Sequence, residues 1–347
     1  MGLIGRRHAD LVRTGRRSAL AALVDPEPGI ARLAGEVGVS CWSSLDDMLV
    51  RDRPDGAIIA TPNAMHVSQA LQCIQAGIPV LVEKPIATTV ADGLRLANAA
   101  ERAGVPLLVG HHRRHSPLLA AARDIVAEGR LGTVVAVLVT TMFAKPLEYF
   151  EAAPWRREPG GGPVLINLIH DVDALRALAG DVVRVQAVAS NRVRRSPVEE
   201  TVAVALEFAN GAVGSMLLSD AGASPMSWEM TAGEDPVFPQ YSDRDCYLVT
   251  GTQGSLGIPT MRLTVADGAP SWHRPLATSV ARPEPADPLL RQLEHFCDLI
   301  AKGGEPLVGG RDAAESLRVT LAIGEAARTG LAVGCAPASG LGSDGQS

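Results

Sequence analysis

The sequence predicts an α/β protein in two parts: a doubly wound parallel sheet whose first strand is absent from this chain, then an α+β domain with an open, mostly antiparallel sheet. Three observations carry this. Before Pro117, four short apolar runs, SALAALVD, GAIIATP, IPVLVEKP and VPLLVGHH, end in polar or turn residues and are separated by helical segments, as parallel strands buried on both faces should be. After Pro117 longer β-rich runs appear, TVVAVLVTTMFA, VVRVQAVASNRV, ETVAVALEF and GAVGSMLLSD. Within ALEFANGAVGSM an Asn-Gly pair joins two β-rich arms, a strong hairpin signal that favours antiparallel pairing. With 347 residues, 46% of them hydrophobic, the chain can bury two cores. The expected division is 1–117, 118–333 and a disordered tail at 334–347.

The elements follow in order. The chain opens MGLIGRRHADLVRTG, with Gly2 and Gly5 three residues apart. A dinucleotide-binding fold places such glycines after a strand, where the backbone passes close to a pyrophosphate, but no strand precedes them in this sequence. Asp25 closes SALAALVD, 20 residues beyond Gly5. An acid there accepts hydrogen bonds from the ribose hydroxyls of NAD and repels the extra phosphate of NADP, and Pro26 rather than an arginine follows it. The same residues also read as a surface turn and a strand-terminal aspartate. IARLAGEVG and HVSQALQCIQAG read as helices, the second capped at Gly77. In the second half a helix is expected from Asn167 to Leu178, and two helical stretches lie between Pro288 and Gly330.

Composition narrows the class of partner. The chain carries 32 basic and 38 acidic residues, a net charge of -6, so no global attraction draws it to nucleic acid or an anionic membrane. A small-molecule substrate is the default. The cysteines at 41, 73, 246, 297 and 335 show neither CxxC spacing nor a paired framework, which points to thiols in a reducing compartment rather than to a disulfide scaffold or zinc site. No apolar run approaches the roughly 20 residues that span a bilayer, and the N-terminus lacks the apolar stretch of a signal peptide. The expected location is the cytoplasm.

Four stretches can carry chemistry. TPNAMH at 61–66 and VEKP at 82–85 directly follow predicted strands, where open α/β sheets place their ligands. The proline after Lys84 restricts the local backbone, so the ammonium can be aimed at a reacting oxygen, although a solvated lysine in a turn has the same sequence. GHHRRHSP at 110–117 concentrates three histidines and two arginines. Adjacent histidines project differently and no carboxylate or cysteine completes a set, so anion or polyol binding by Arg113 or Arg114 is favoured and no metal is expected. In PWRREPGGGPVLINLIHDVDALRALAG, 154–180, glycines and a proline allow a tight turn before an apolar helix with Asn167, His170 and Ala174 on one stripe. A histidine there is either a hydrogen-bonded core residue or a general acid and base.

Taken in order, GLIGRRHAD, LVDPEP, IIATPNAMH, VLVEKP, LLVGHHRRHSP, the WR and GGG elements and HDVD resemble the Gfo/Idh/MocA oxidoreductases, a family that includes glucose-fructose oxidoreductase and inositol dehydrogenase. The resemblance extends to about Val333 and implies an N-terminal Rossmann NAD(P)-binding domain, then a substrate-binding domain whose open sheet forms a homo-oligomer interface. It implies a nicotinamide cofactor and hydride transfer to or from a hydroxyl-bearing carbon of a sugar, inositol or related cyclic polyol. By that resemblance Lys84 stands beside nicotinamide and substrate, and His170 is the acid/base histidine. Gly2, Leu3, Ile4, Gly5, Asp25, Thr61, Pro62, Asn63, His66, Glu83 and Lys84 are the expected cofactor residues, with NAD preferred over NADP from Asp25 and Pro26. Arg113, Trp155, Arg156 and Asn167 are the expected substrate residues.

The sequence departs from the family pattern twice. An aspartate commonly stands four residues before the family histidine, and here that position is Ile166, beside Asn167. Asn167 donates and accepts hydrogen bonds but takes no proton at neutral pH, so it is expected to orient substrate. Gly2 and Gly5 match the second and third glycines of the GxGxxG fingerprint, while the first glycine and its strand have no counterpart. The expectation is a start set late, at an internal methionine, the other reading being a truncated relic. A cyclic dihydrodiol from aromatic degradation is the alternative substrate. A non-catalytic nucleotide or sugar sensor and a structural subunit are the alternatives of another class.

Overall fold

A computed structural model describes residues 1–335. In chain order its first elements are α1 (Leu3–Thr14), β1 (Ala22–Val24), α2 (Pro28–Val37), β2 (Ser40–Trp42), α3 (Leu45–Arg51), β3 (Ala57–Ile59), α4 (His66–Gln75), β4 (Val80–Val82), α5 (Val90–Ala103) and β5 (Leu107–Val109). There follow α6 (Pro117–Ala127), β6 (Val134–Met142), α7 (Leu147–Glu151), α8 (Ile169–Ala179), β7 (Val182–Ser190), β8 (Thr201–Phe208), β9 (Val213–Ser219) and α9 (Trp228–Thr231). The last are β10 (Tyr247–Gly251), β11 (Gly254–Ile258), β12 (Arg262–Ala266), β13 (Leu276–Val280), α10 (Pro288–Lys302), α11 (Gly310–Thr329) and β14 (Val333–Gly334).

The chain divides into two compact units, Met1–Ser116 with Ala286–Leu317, and Pro117–Pro285 with the residues from Arg318 onward. The first unit is a Rossmann-type domain of parallel strands and helices. Its strands form two ladders, β1 beside β2 and β3–β4–β5 in sequence order, all parallel. The four apolar runs recognised in the sequence contain β1, β3, β4 and β5. The fifth strand, β2, is only Ser-Cys-Trp and has no apolar run to announce it. Every side chain of β4 and β5 is buried, the result of helical cover on both faces.

The expected boundary is corrected by α10. The sequence assigns all of 118–333 to the second domain, yet Ala286–Leu317 belongs to the first unit. Phe296 and Leu299 of α10 share a core with Leu81 of β4 and Leu108 of β5. Arg7 reaches Asp287 at 2.7 Å and Arg17 reaches Asp298 at 2.6 Å, tying α1 and the loop after it to the same segment. An amphipathic helix goes where its apolar stripe is buried, and α10 finds that surface on the parallel strands.

The second unit is built on one nine-stranded sheet, ordered β13-β12-β11-β10-β6-β9-β8-β7-β14. Its neighbours are antiparallel except for the parallel pair β6 and β9. The Asn-Gly hairpin forms as expected, with β8 antiparallel to β9. Gly211 adopts φ +86, a left-handed value that glycine takes without a Cβ clash. Alternate residues of β6, β8 and β9 face a core shared with α6 and α8. The helix expected over 167–178 is longer and begins irregularly: Val164–Leu168 is a π-helical turn, continued by α8. Gly334 and Cys335, expected in the disordered tail, are placed by β14, which pairs with β7, and Cys335 is buried. The rest of that expected tail lies outside the described residues.

Candidate active site

In the first unit, Gly2 is the N-cap of α1 and no side chain caps the helix. Arg6 makes the first of the backbone bonds, to the carbonyl of Gly2 at 3.0 Å. The amides of Leu3, Ile4 and Gly5 therefore form the kind of unfilled helix start that binds a phosphate. A Cβ on Gly2 would meet nothing within 4 Å, whereas one on Gly5 would lie 3.0 Å from the side-chain Cγ of Met1 and in ordinary contact, 3.7 Å, with the Cβ of Ala60 just beyond β3. Gly2 thus leaves the helix start open, as a close-approaching pyrophosphate needs. The residues fit a dinucleotide at this turn. Asp25 follows β1, its Oδ2 2.6 Å from the α-amino group of Met1 and its Oδ1 accepting the amide of Glu27 at 2.9 Å.

Thr61, Pro62 and Asn63 form the turn after β3. Thr61 Oγ1 donates to Gln69 Oε1 at 2.7 Å. His66 is the next residue expected to line the cofactor. It is buried, with Nδ1 2.8 Å from the carbonyl of Pro85 and Nε2 2.9 Å from the carbonyl of Thr61. Both ring nitrogens are thus taken by backbone, and the ring holds the TPN turn against the Lys84-Pro85 turn.

Glu83 and Lys84 follow β4. Glu83 is buried, its Oε1 2.7 Å from Nε2 of His8 and its Oε2 3.1 Å from the backbone N–H of Lys84. Burial pushes this carboxyl up, but the hydrogen bond and charge of His8, with Lys84 and His112, outweigh it and hold the group below the usual carboxylate range. A Cβ on Gly110, after β5, would lie 3.0 Å from the Cα, Cδ and Oε1 of Glu83, so only glycine leaves that side chain its place. Lys84 itself is half-buried. His8 was not singled out in the sequence, although its position three residues after Gly5 puts it on the same face of α1.

The basic stretch after β5 does not form an open wall. Arg113, expected to touch substrate, is 2% exposed. His115 is buried with its ring 5.4 Å from that of His295, and burial first, then His295, His112 and Arg114, push it down to about 3. It is neutral under ordinary conditions.

In the second unit His170 is on the first turn of α8 and buried. Its neighbour Asp171 accepts hydrogen bonds from Thr141 Oγ1 at 2.9 Å and Tyr247 Oη at 2.5 Å, fastening α8 to β6 and β10. Asn167 lies in the π turn just before, and its Oδ1 accepts from Lys145 Nζ at 2.6 Å. Because the π turn closes bonds five residues apart, the regular α-helical stripe through Asn167, His170 and Ala174 does not extend back to Asn167. Gly162, at φ +84, would place a Cβ 2.6 Å from Glu199, whose Oε1 accepts the amide of Val164 at 3.0 Å and starts the π turn. Trp155 is half exposed, and Arg156 stacks 3.8 Å from the centre of Tyr149. Lys145, Tyr149 and Glu199 were not anticipated. No motif marks them, because β6 and the helix they join are separated in sequence.

Residues 1–111 match the Gfo/Idh/MocA oxidoreductase family with its NAD-binding Rossmann fold, and residues 119–257 match a Gfo/Idh/MocA C-terminal domain. The chain is 29% identical over 293 residues to a 1,5-anhydro-D-fructose reductase of Ensifer adhaerens, covering 84% of this chain and 82% of that one. It is 27% identical over 349 residues to a scyllo-inositol 2-dehydrogenase (NAD(+)) of Bacillus subtilis, covering 96% and 94%. The WlbA dehydrogenase of Bordetella pertussis, solved in complex with NADH and UDP-GlcNAcA, superimposes with a TM-score of 0.76 at 28% identity, covering 96% of each chain.

Proposed function

Because this chain belongs to the Gfo/Idh/MocA oxidoreductase family and is an NAD(P)-dependent dehydrogenase, we propose that it oxidises a CH–OH group of a sugar, inositol or related cyclic polyol, with Lys84 and His170 as the catalytic residues. The observation that carries the reading is the clamp on the turn bearing Lys84: Glu83 held by His8, and Pro85 held by His66. A turn fixed from two helices spends buried polar groups on the position of one lysine, as a preorganised site requires.

When bound, the nicotinamide supplies the hydride acceptor or donor. Lys84 polarises the reacting oxygen through its ammonium, stabilising negative charge as the hydroxyl proton leaves. His170 takes that proton, as an imidazole suits near neutrality. Gly2, Leu3, Ile4 and Gly5 hold the pyrophosphate, and Asp25 holds the adenosine ribose. With Pro26 rather than arginine beside it, the carboxylate of Asp25 favours NAD over NADP. Thr61, Pro62 and Asn63 line the cofactor, while Trp155, Arg156 and Asn167 contact substrate.

The outer face of the nine-stranded sheet takes a second copy of the chain. Leu138 of β6 faces outward between Leu248 of β10 and Ser215 of β9, and Leu217 lies between Thr140 and Ala203. Leu138, Leu217, Leu248 and Val188 are all exposed, a contiguous apolar face of the sort that oligomers cover. The location is the cytoplasm, which fits five cysteines that are all free. No described helix is long and apolar enough to cross a membrane.

The test is formation of NADH or NADPH from a panel of sugars, inositols and cyclic dihydrodiols, with thermal shifts by NAD and NADP measured alongside. Turnover of any panel member with loss in Lys84→Met supports the reading. A shift by NAD without turnover of any hydroxyl compound favours a sensor, and no shift at all removes the cofactor assignment.

A further inference from the structure

Lys145 is held unusually firmly for a lysine. Its backbone N–H donates to the carbonyl of Asp220 at 2.9 Å, prolonging the pairing of β6 and β9 into the loops beyond them. Its side chain is 8% exposed, with Nζ 3.2 Å from Asp220 Oδ2 and 2.6 Å from Asn167 Oδ1. The ammonium lies 4.8 Å from the centre of the Tyr149 ring and 5.6 Å from that of Phe143, favourable faces for a cation.

This contact decides the direction of the Asn167 amide. An ammonium has only donors, so the atom of Asn167 that faces it is the carbonyl oxygen and the NH2 group is turned away. Asn167 therefore presents a donor. Lys145 donates a hydrogen bond to Asn167 and forms an ion pair with Asp220. Asp220 is shared with Arg194, which pairs with it closely and also stands 3.6 Å from Glu200. On the other side Arg156 stacks on the same Tyr149 ring at 3.8 Å.

We propose that Lys145 and Asn167 form a donor pair that receives a carboxylate of the substrate, so that the enzyme acts on an acidic sugar or a carboxylated cyclic diol. The proposal rests on the oxidoreductase reading above and names the substrate class of that site. A hydroxyl needs an acceptor for its own hydrogen, whereas the Lys145 ammonium and the Asn167 NH2 group are two donors that match the two oxygens of a carboxylate. The charged groups around Lys145 are Arg194 and Arg156, against Asp220, Glu199 and Glu229. Burial raises Glu199 toward its neutral form, despite the Val164 amide and Lys145, and Arg194 occupies Asp220. Burial, then Arg194 and Arg156, push Lys145 down to about 7 against Glu229 and Glu199. The ammonium is thus present below about pH 7 and is replaced by the amine above it, so the KM of an acidic substrate rises through this range and that of its neutral partner does not.

The experiment compares kcat/KM for matched pairs, D-glucuronate with D-glucose, D-galacturonate with D-galactose, and a carboxylated with an uncarboxylated cyclohexadiene diol. The expected result is at least a ~10-fold preference for the acid in one pair, equivalent to about 1.4 kcal/mol. Lys145→Met should bring that ratio near one with the NAD thermal shift retained. Lys145→Arg should restore part of it, and Asn167→Asp should lower the acid selectively by adding a like charge. Equal use of acid and neutral compound in every pair, or equal loss of both in Lys145→Met, overturns the proposal. If nothing is turned over, calorimetric titration with the same acids decides: binding that needs Lys145 keeps the carboxylate site while the oxidoreductase reading falls, and no such binding overturns the site as well.

Discussion

Nε2 of His8 lies 2.7 Å from Oε1 of Glu83, and both side chains are buried. The ionised carboxylate accepts, so the imidazole donates, and the other carboxylate oxygen takes the backbone N–H of Lys84. Helix α1, whose start fits the dinucleotide, is thereby tied through one carboxylate to the turn that carries Lys84.

His8→Ala removes the side-chain partner of a buried carboxylate and is expected to cost roughly 3 kcal/mol or more of stability, read from urea unfolding. Glu83→Gln in the same chain should recover part of that loss, because no buried charge is then left. The pH dependence has a definite sign. Glu83 is held below its ordinary range in the folded protein, so its contribution is present above the carboxyl value of the unfolded chain and is lost as pH falls through the folded value. In His8→Ala this acid-side slope should flatten.

Gly110→Ala places a Cβ 3.0 Å from Glu83. Overpacking of this kind costs about 2 kcal/mol, and the displaced carboxylate should release the Lys84 turn. The expected kinetic pattern is a fall in kcat larger than any change in NAD affinity. Equal kcat to wild type would remove the positioning role of Glu83.

Lys84→Met and His170→Ala should each lower kcat by about 10²–10⁴-fold, the usual worth of a positioned proton-transfer or polarising group. Thermal stabilisation by NAD should persist in both. If activity persists in His170→Ala across the pH range, the histidine is a core residue.

Pro26→Arg should shift cofactor use toward NADP by about tenfold or more in kcat/KM, since a guanidinium pairs with the ribose phosphate that Asp25 repels. Measurement of kcat/KM with NAD and with NADP as the varied reactant checks it.

Leu138→Glu puts a charge on the outward face of β6, where its neighbours across the sheet are Ser215 and Leu248. If that face joins two copies, light scattering should show a lower mass with the far-ultraviolet spectrum unchanged. An unaltered mass would place any interface elsewhere.

The legible parts of the fold were those written in local periods. Four of the five strands of the first unit stand out because each is a short apolar run, fully buried in β4 and β5, while β2, as Ser-Cys-Trp with an exposed first residue, carries no such mark. The turns at Thr61-Pro62-Asn63 and Glu83-Lys84 were legible because each directly follows an apolar strand run. His66 was found by the same reasoning, but its ring is spent on the carbonyls of Thr61 and Pro85, a choice its position in the motif does not reveal. The π turn at Val164–Leu168 likewise has no helical period of its own to read.

By itself, the sequence determined the alternation of parallel strands and helices and the Asn-Gly hairpin, because apolar spacing and turn chemistry act between near neighbours, while the oxidoreductase class came from the resemblance of its ordered motifs to a known family. Only the tertiary structure decided that α10 belongs with the first unit's core, that His8 holds Glu83 from 75 residues away, and that Lys145 turns the amide of Asn167 across 22 residues. Those pairings depend on which buried polar group finds a partner once the chain has closed, and burial makes the choice costly to reverse.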